Sequence, residues 1–307
     1  MRLLYEGKDI YPEISIAACW HDMYACDRVD TLILHLNDTR SLWTAWDPHA
    51  RDEIALEHGS ASTGAMWLTS VHQQSGLVQL SASSRPGIAD IRRSKGWRDV
   101  RLAQILQELA GRLSFTVQAF GLPEIFYTYI MQQNEDDLSF LQRVCRQEGL
   151  AFLLYDRRLV VYDEAWMEQQ DAKVPYIELD PSADYSLNDH RSEEFGSCLI
   201  TMGEYQGSFS APGSKSQRVL IPEENVSVHS SAEAFRYAKG LLRNANKRSY
   251  RGSFKSEFKP ALSAASLLNL HVIGERSHEQ PAFIEHLRHD YAHNRSKVFF
   301  RAPLEGY

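Results

Sequence analysis

The sequence predicts an α+β protein, mainly β, in which two β-barrel units flank a small α+β insert. Three observations carry this expectation. Apolar and polar residues alternate with period two over roughly the first 90 positions, helical spacing takes over near Trp97, and alternation returns through roughly the last 60. A chain of 307 residues has room for several packed units, because single cores seldom grow past about 250 to 300 residues. The boundaries read as 1–95, 96–165 and 166–307.

In the first unit, Leu32, Leu34 and Leu36 alternate with Ile33 and His35, and Val78, Leu80 and Ala82 alternate with Gln79 and Ser81. Each run fits a strand with one buried face. Turn chemistry recurs at Asn37-Asp38, Asp47-Pro48, His58-Gly59, Ser75-Gly76 and Arg85-Pro86-Gly87, as in a meandering sheet or barrel.

The insert begins with Leu102, Ile105, Leu106 and Leu109 at helical spacing, with Gly111 expected to cap the helix C-terminus. Strands are expected at Ser114 to Gln118 and Phe126 to Gln132. The acidic run Asn134 to Asp137 then suits the positive end of a second helix, whose buried face is Leu138, Leu141, Val144 and Cys145 and whose stop is Gly149. Ala151 to Tyr155 and Arg158 to Tyr162 read as a hairpin.

From Val174 the chain returns to short β-like runs, Ser197 to Met202 and Val219 to Ile221, separated by the Ser-, Gly- and Pro-rich stretch Gly207 to Gly213. One helix is expected near 230–246. Ser230 and Glu233 form a capping box before the apolar stripe Ala234, Ala238, Leu241 and Leu242. Strands close the chain, with Leu268, Leu270 and Val272 on one face of one and Val298 and Phe300 on one face of another. No 20- to 50-residue repeat is visible, which argues against a solenoid or propeller.

Composition excludes several function classes. A net charge of −7 argues against a dedicated nucleic-acid binder, and the basic stretches Arg85 to Arg101 and Arg236 to Arg251 read as solvated faces. No apolar run approaches the roughly 20 residues of a membrane helix, and the charged N-terminus does not resemble a secretory signal, so synthesis is expected to end in the cytoplasm without stable membrane anchoring. Cys19, Cys26, Cys145 and Cys198 form no C-x-x-C pair, and most of them read as core residues of a reducing compartment.

The search for chemistry ends without a catalytic, cofactor or metal site. His286, His289 and His293, beside Glu285 and Asp290, would share a helical face and could hold zinc. Phe283 to Arg288 alternates like a strand, however, which sends His286 to the opposite face from His289 and His293. Asp136 and Asp137 could supply paired carboxylates, but a helix start explains them. H-E-x-x-H, phosphate-loop and nucleophile-elbow motifs are absent. Trp43, Trp46 and Trp67 could line a carbohydrate groove, although core or interface filling is the commoner use of such residues.

Four stretches together resemble the phage late control gene D protein family, the baseplate hub proteins of contractile tails. They are Asp30 to Asp38 with Trp43, Trp46 to Pro48, Gly64 to Leu68 and Leu80 to Pro86; Lys95 to Gly111; Gln132 to Gly149; and Phe283 to His289 with Val298 to Tyr307. The segments Phe258 to Ser266 and Gly274 to His278 depart from the family pattern by lacking its glycines. The resemblance implies that both β units are tail-tube-like barrels. It further implies a structural, non-enzymatic homotrimer whose six barrels form a pseudo-sixfold ring between a hexameric tail tube protein and a trimeric spike protein. Tape measure and baseplate wedge proteins are further expected partners, and the location is the tail of a virion or tail-like particle after assembly in the host cytoplasm. The hub half of the type VI secretion VgrG spike proteins is similar. The alternatives are a tail-associated cell-wall hydrolase and a carbohydrate-binding β module.

Overall fold

The structure, a computed structural model, describes residues 1–39, 41–170, 176–180, 182–222, 226–273 and 279–307. Val174 and the segment Gly274 to His278 therefore lie outside the described residues. Among those described, strands dominate and helices are few, as the alternation predicts.

The two β units are not separate sheets. Strand Ser15–Tyr24 pairs on one side with Thr31–Asn37 and on the other with Glu279–Asp290, so strands from both ends of the chain join in one 14-stranded sheet. Its order runs from Tyr185–Asp189 through Tyr250–Glu257, Arg295–Arg301 and Glu279–Asp290 to Ser15–Tyr24. It continues through Thr31–Asn37, Leu77–Ser83, Met66–Gln74 and Glu53–His58 to Arg2–Tyr5 and Lys8–Asp9. Among the described residues this path is open, and pairing alone closes no barrel. Leu32, Leu34 and Leu36 are buried with Val78, Leu80 and Ala82 in an N-terminal core, and Leu268, Leu270, Val272, Val298 and Phe300 in a C-terminal one.

The insert follows its sequence signals with two corrections, one at Gly111 and one at the strand expected from Ser114 to Gln118, which runs over Thr116–Phe120. Helix Leu102–Leu113 runs through Gly111, and the C-cap is Ser114, at φ 59°. Gly111 is exposed with open space around it, so the local signal was a tolerated helical glycine and not a stop. The second helix, Asp137–Glu148, begins where its acids predict and ends at Gly149, whose φ of 74° is the left-handed conformation that glycine adopts without strain.

A further difference lies at Gly207, which sits in strand Tyr205–Ser210 and not in a loop. A Cβ there would come within 2.2 Å of the Phe235 backbone nitrogen, so glycine lets helix Ser231–Asn246 lie directly on the strand. That helix also packs on Asp137–Glu148. One apolar core consequently gathers Leu102, Ile105, Leu141, Val144, Leu159 and Val161 together with Cys198, Ile200, Ala234, Tyr237, Ala238 and Leu242. The Phe258 to Ser266 segment, short of glycine, carries Ala265 at φ 58°.

Candidate functional site

The expected helix termini account for the acids singled out above. Asp136 is the N-cap of helix Asp137–Glu148, and its carboxylate accepts from the Leu138 and Ser139 backbone N–H groups at 3.1 and 3.0 Å. Asp137 is buried, accepting from Arg112 at 2.7 Å and Gln132 at 2.9 Å. Both carboxylates are thus committed to holding the insert together, and neither is set in the open cleft that general acid and base work requires.

The tryptophans do not form a shared platform. Trp43 is 1% exposed and lies in the N-terminal core, in edge contact with Trp46 at 5.0 Å. Trp67 instead stacks near Phe115 at 5.9 Å and packs against the core of the insert.

The histidines fall as a strand places them. His286 lies on one face of Glu279–Asp290, stacked between Tyr24 and Phe299 and hydrogen-bonded to Asp22 at 2.6 Å. His289 is buried on the other face beside Ser296, and His293 sits in the following turn against Asp290. No group of three potential metal ligands exists among the described residues.

The most heavily built polar assembly is one that the sequence did not announce. Helix Glu164–Glu168, the C-terminal turn of helix Ser231–Asn246 and the end of strand Arg295–Arg301 meet in a buried charge cluster. Arg301 is fully buried, with its guanidinium 2.5 Å from Glu168 and 3.4 Å from Glu285. Arg243 reaches Glu168 at 2.5 Å and Glu164 at 3.4 Å, and Lys247 donates to Glu164 at 2.9 Å. Three cations face three carboxylates, which is the balance that buried ions require. Burial opposes the charge on Arg301, but Glu168, Glu164 and Glu285 outweigh it, so its pKa is raised. Burial likewise opposes the Glu164 carboxylate, and Lys247, Arg301 and Arg243 bring its pKa below the usual value.

Neighbouring contacts extend the cluster to segments far apart in the chain. Arg248 bridges Asp27 of the N-terminal unit and Glu285 of the C-terminal one, at 2.9 and 3.0 Å. The Leu304 backbone N–H donates to Glu168 at 2.8 Å. Tyr162 of the insert donates to the Ala25 carbonyl at 2.7 Å. Such a cluster stabilises only when complete, and its chemical use is to hold the helix Glu164–Glu168, the helix Ser231–Asn246 and the strand Arg295–Arg301 in one relative orientation.

The fold is that of a mainly β chain whose two ends share one sheet and whose middle helices share a core with the helix Ser231–Asn246. The family comparison makes this specific: residues 66–257 match the model of the phage tail baseplate hub (GPD) family, and the chain belongs to that family. Among solved structures, the fold is similar to the 43 kDa tail protein of prophage MuSo2 from Shewanella oneidensis, with a TM-score of 0.75, 13% identity and 98% of each chain covered. It is also similar to a tail protein from Neisseria meningitidis MC58, with a TM-score of 0.71, 13% identity and coverage of 99% of this chain and 96% of that one. A third similar structure is the E. coli c3393 protein, a component of the type VI secretion system, with a TM-score of 0.58 and 13% identity over 100% of this chain and 77% of that one. No curated protein sequence matches the chain.

Proposed function

We propose that this protein is the non-enzymatic hub of a contractile tail or tail-like particle, forming a homotrimeric, pseudo-sixfold ring that joins a hexameric tail tube to a trimeric spike. In this reading the segments 1–95 and 166–307 supply two tube-like barrel units per chain, with 96–165 as the insert, and three copies present six units to the tube. The observation that carries the proposal is the strand pair Ser15–Tyr24 and Glu279–Asp290, which sets the two β units side by side in one sheet. The buried charge cluster supports it, because a part driven through an envelope by sheath contraction must hold its units rigidly together. Further partners are tape measure and baseplate wedge proteins, and the protein assembles from the host cytoplasm into the tail baseplate.

The test is to purify tail particles and count this chain against the tube protein by quantitative mass spectrometry, with electron cryomicroscopy of the tip. Three copies at the junction of tube and spike are expected. Absence from intact particles, or a copy number other than three, overturns the proposal.

A further inference from the structure

On the inner face of the large sheet, the antiparallel register places His21 directly opposite His289, with Leu32 beyond His21 and Ser296 beyond His289. Directly opposed residues share a face with Cβ atoms about 4.5 to 5.5 Å apart, which brings the two rings together. Each residue is 1% exposed. Leu32 offers His21 nothing polar, and neither of its ring nitrogens has a hydrogen-bond partner. Ser296 meets His289 Nδ1 at 2.8 Å, while Nε2 has no partner of hydrogen-bonding geometry, although the Leu262 carbonyl lies nearby. The Tyr291 hydroxyl, in the turn that follows the strand, is also buried and unpartnered.

We propose that His21 and His289 together bind one divalent transition-metal ion of the imidazole-preferring class, Zn²⁺, Ni²⁺ or Cu²⁺. Three features of the pair meet the needs of such a site. Imidazole nitrogen suits these ions, and a ligating ring commonly has its other nitrogen fixed by a hydrogen bond, as Ser296 fixes His289. Tyr291 lies beside the pair, its ring 5.8 Å from that of His289, and carries the nearest unpartnered oxygen described there. A cavity of about 340 Å³, lined by both histidines, Tyr291 and the Asp30 carboxyl, leads to the pair and has room for water as the remaining ligands. No third His, Cys, Asp or Glu joins the pair among the described residues, so the protein supplies an incomplete shell. The affinity expected is micromolar and not that of a closed structural zinc site.

The experiment uses the full chain, stripped with EDTA, desalted and equilibrated with Zn²⁺ or Co²⁺. Bound metal is measured by inductively coupled plasma mass spectrometry and the Co²⁺ complex by its absorption. One ion per chain is expected, with at least a tenfold weaker affinity in His21→Leu and no change in His293→Ala, which lies outside the pair. A wild-type chain that stays metal-free at 100-fold molar excess overturns the proposal and leaves water as the only occupant. So does uptake undiminished in a folded His21→Leu variant. Where that variant does not fold, X-ray absorption of the wild-type Zn²⁺ complex decides: two imidazoles in the shell support the site, and one or none refutes it.

Discussion

Replacing Gly240 by alanine should destabilise this protein, although the same change stabilises most helices. Gly240 lies inside helix Ser231–Asn246, where alanine is intrinsically favoured by about 1 kcal/mol. A Cβ at this position would stand 2.1 Å from the Gln147 carbonyl oxygen and 2.5 Å from the Gly149 nitrogen. Both are backbone atoms at the end of the neighbouring helix, so neither can swing aside. Ordinary contact begins near 3.4 Å, and the helices must separate by about 1.3 Å to restore it. That separation loosens Ala234, Tyr237, Ala238 and Leu242 in the shared core. Overpacking costs about 1 to 3 kcal/mol, and an immovable neighbour puts the cost at the upper end or beyond it. The net expectation is a loss of about 2 kcal/mol, read as a lower urea midpoint, with hydrogen exchange accelerated across residues 231–246. Gly111→Ala is the internal control, because nothing lies within 4 Å of its Cβ position and about 0.5 to 1 kcal/mol should be gained. If Gly240→Ala matches or exceeds the wild type in stability, the close helix approach is not what fixes glycine there.

Asp136→Ala removes the acceptor of two backbone N–H groups at a helix start and should cost about 1 kcal/mol in chemical denaturation, while Asp136→Ser should recover most of it. Arg301→Leu leaves Glu168 and Glu164 short of a buried cation and should lower stability by about 3 to 5 kcal/mol; a thermal midpoint within 2 °C of wild type would contradict the clamp. Acid stability should depend on two opposed groups. His21 and His289 have folded pKa values near 3 and 4, below the ordinary 6.5, so their contribution is full above pH 6.5 and is lost as pH falls. Burial raises Asp30 to about 7, so its contribution is present below 3.8 and is lost as pH rises through 7. From pH 8 to 5 each histidine should cost about 2 kcal/mol and Asp30 should return roughly 2 to 3 kcal/mol. Asp30→Asn should therefore steepen the acid loss measured by urea unfolding across this range, and superimposable curves would remove Asp30 from the account.

Where a signal is local, the residues announced the structure. Helix Asp137–Glu148 could be read from its acids and Gly149, and the strand period of Phe283 to Arg288 separated His286 from His289. Where it depends on partners far along the chain, they did not. Nothing near Ser15–Tyr24 reveals that its second neighbour is Glu279–Asp290, because a pairing leaves no mark on either strand beyond its alternation. The same reason hid the charge cluster, whose Glu164, Arg243 and Arg301 look like ordinary surface residues until the fold buries them. Gly207 misled in the opposite direction, since a glycine chosen for close approach has the same letter as one chosen for a turn.

The hydrogen bond from Trp20 to Asp290 spans 270 positions, and the strand pairing around it makes folding a matter of timing. At about 5 to 20 residues per second, the ribosome takes roughly 13 to 54 s to travel that distance. Through that interval strand Ser15–Tyr24 has a bare backbone edge, the kind of surface on which nascent chains associate wrongly. The final sheet can close only late in synthesis, so the chain cannot complete its fold before its last strands emerge. Chains interrupted before Glu279 should be left with that edge uncovered and be recovered as aggregates in place of partial hubs.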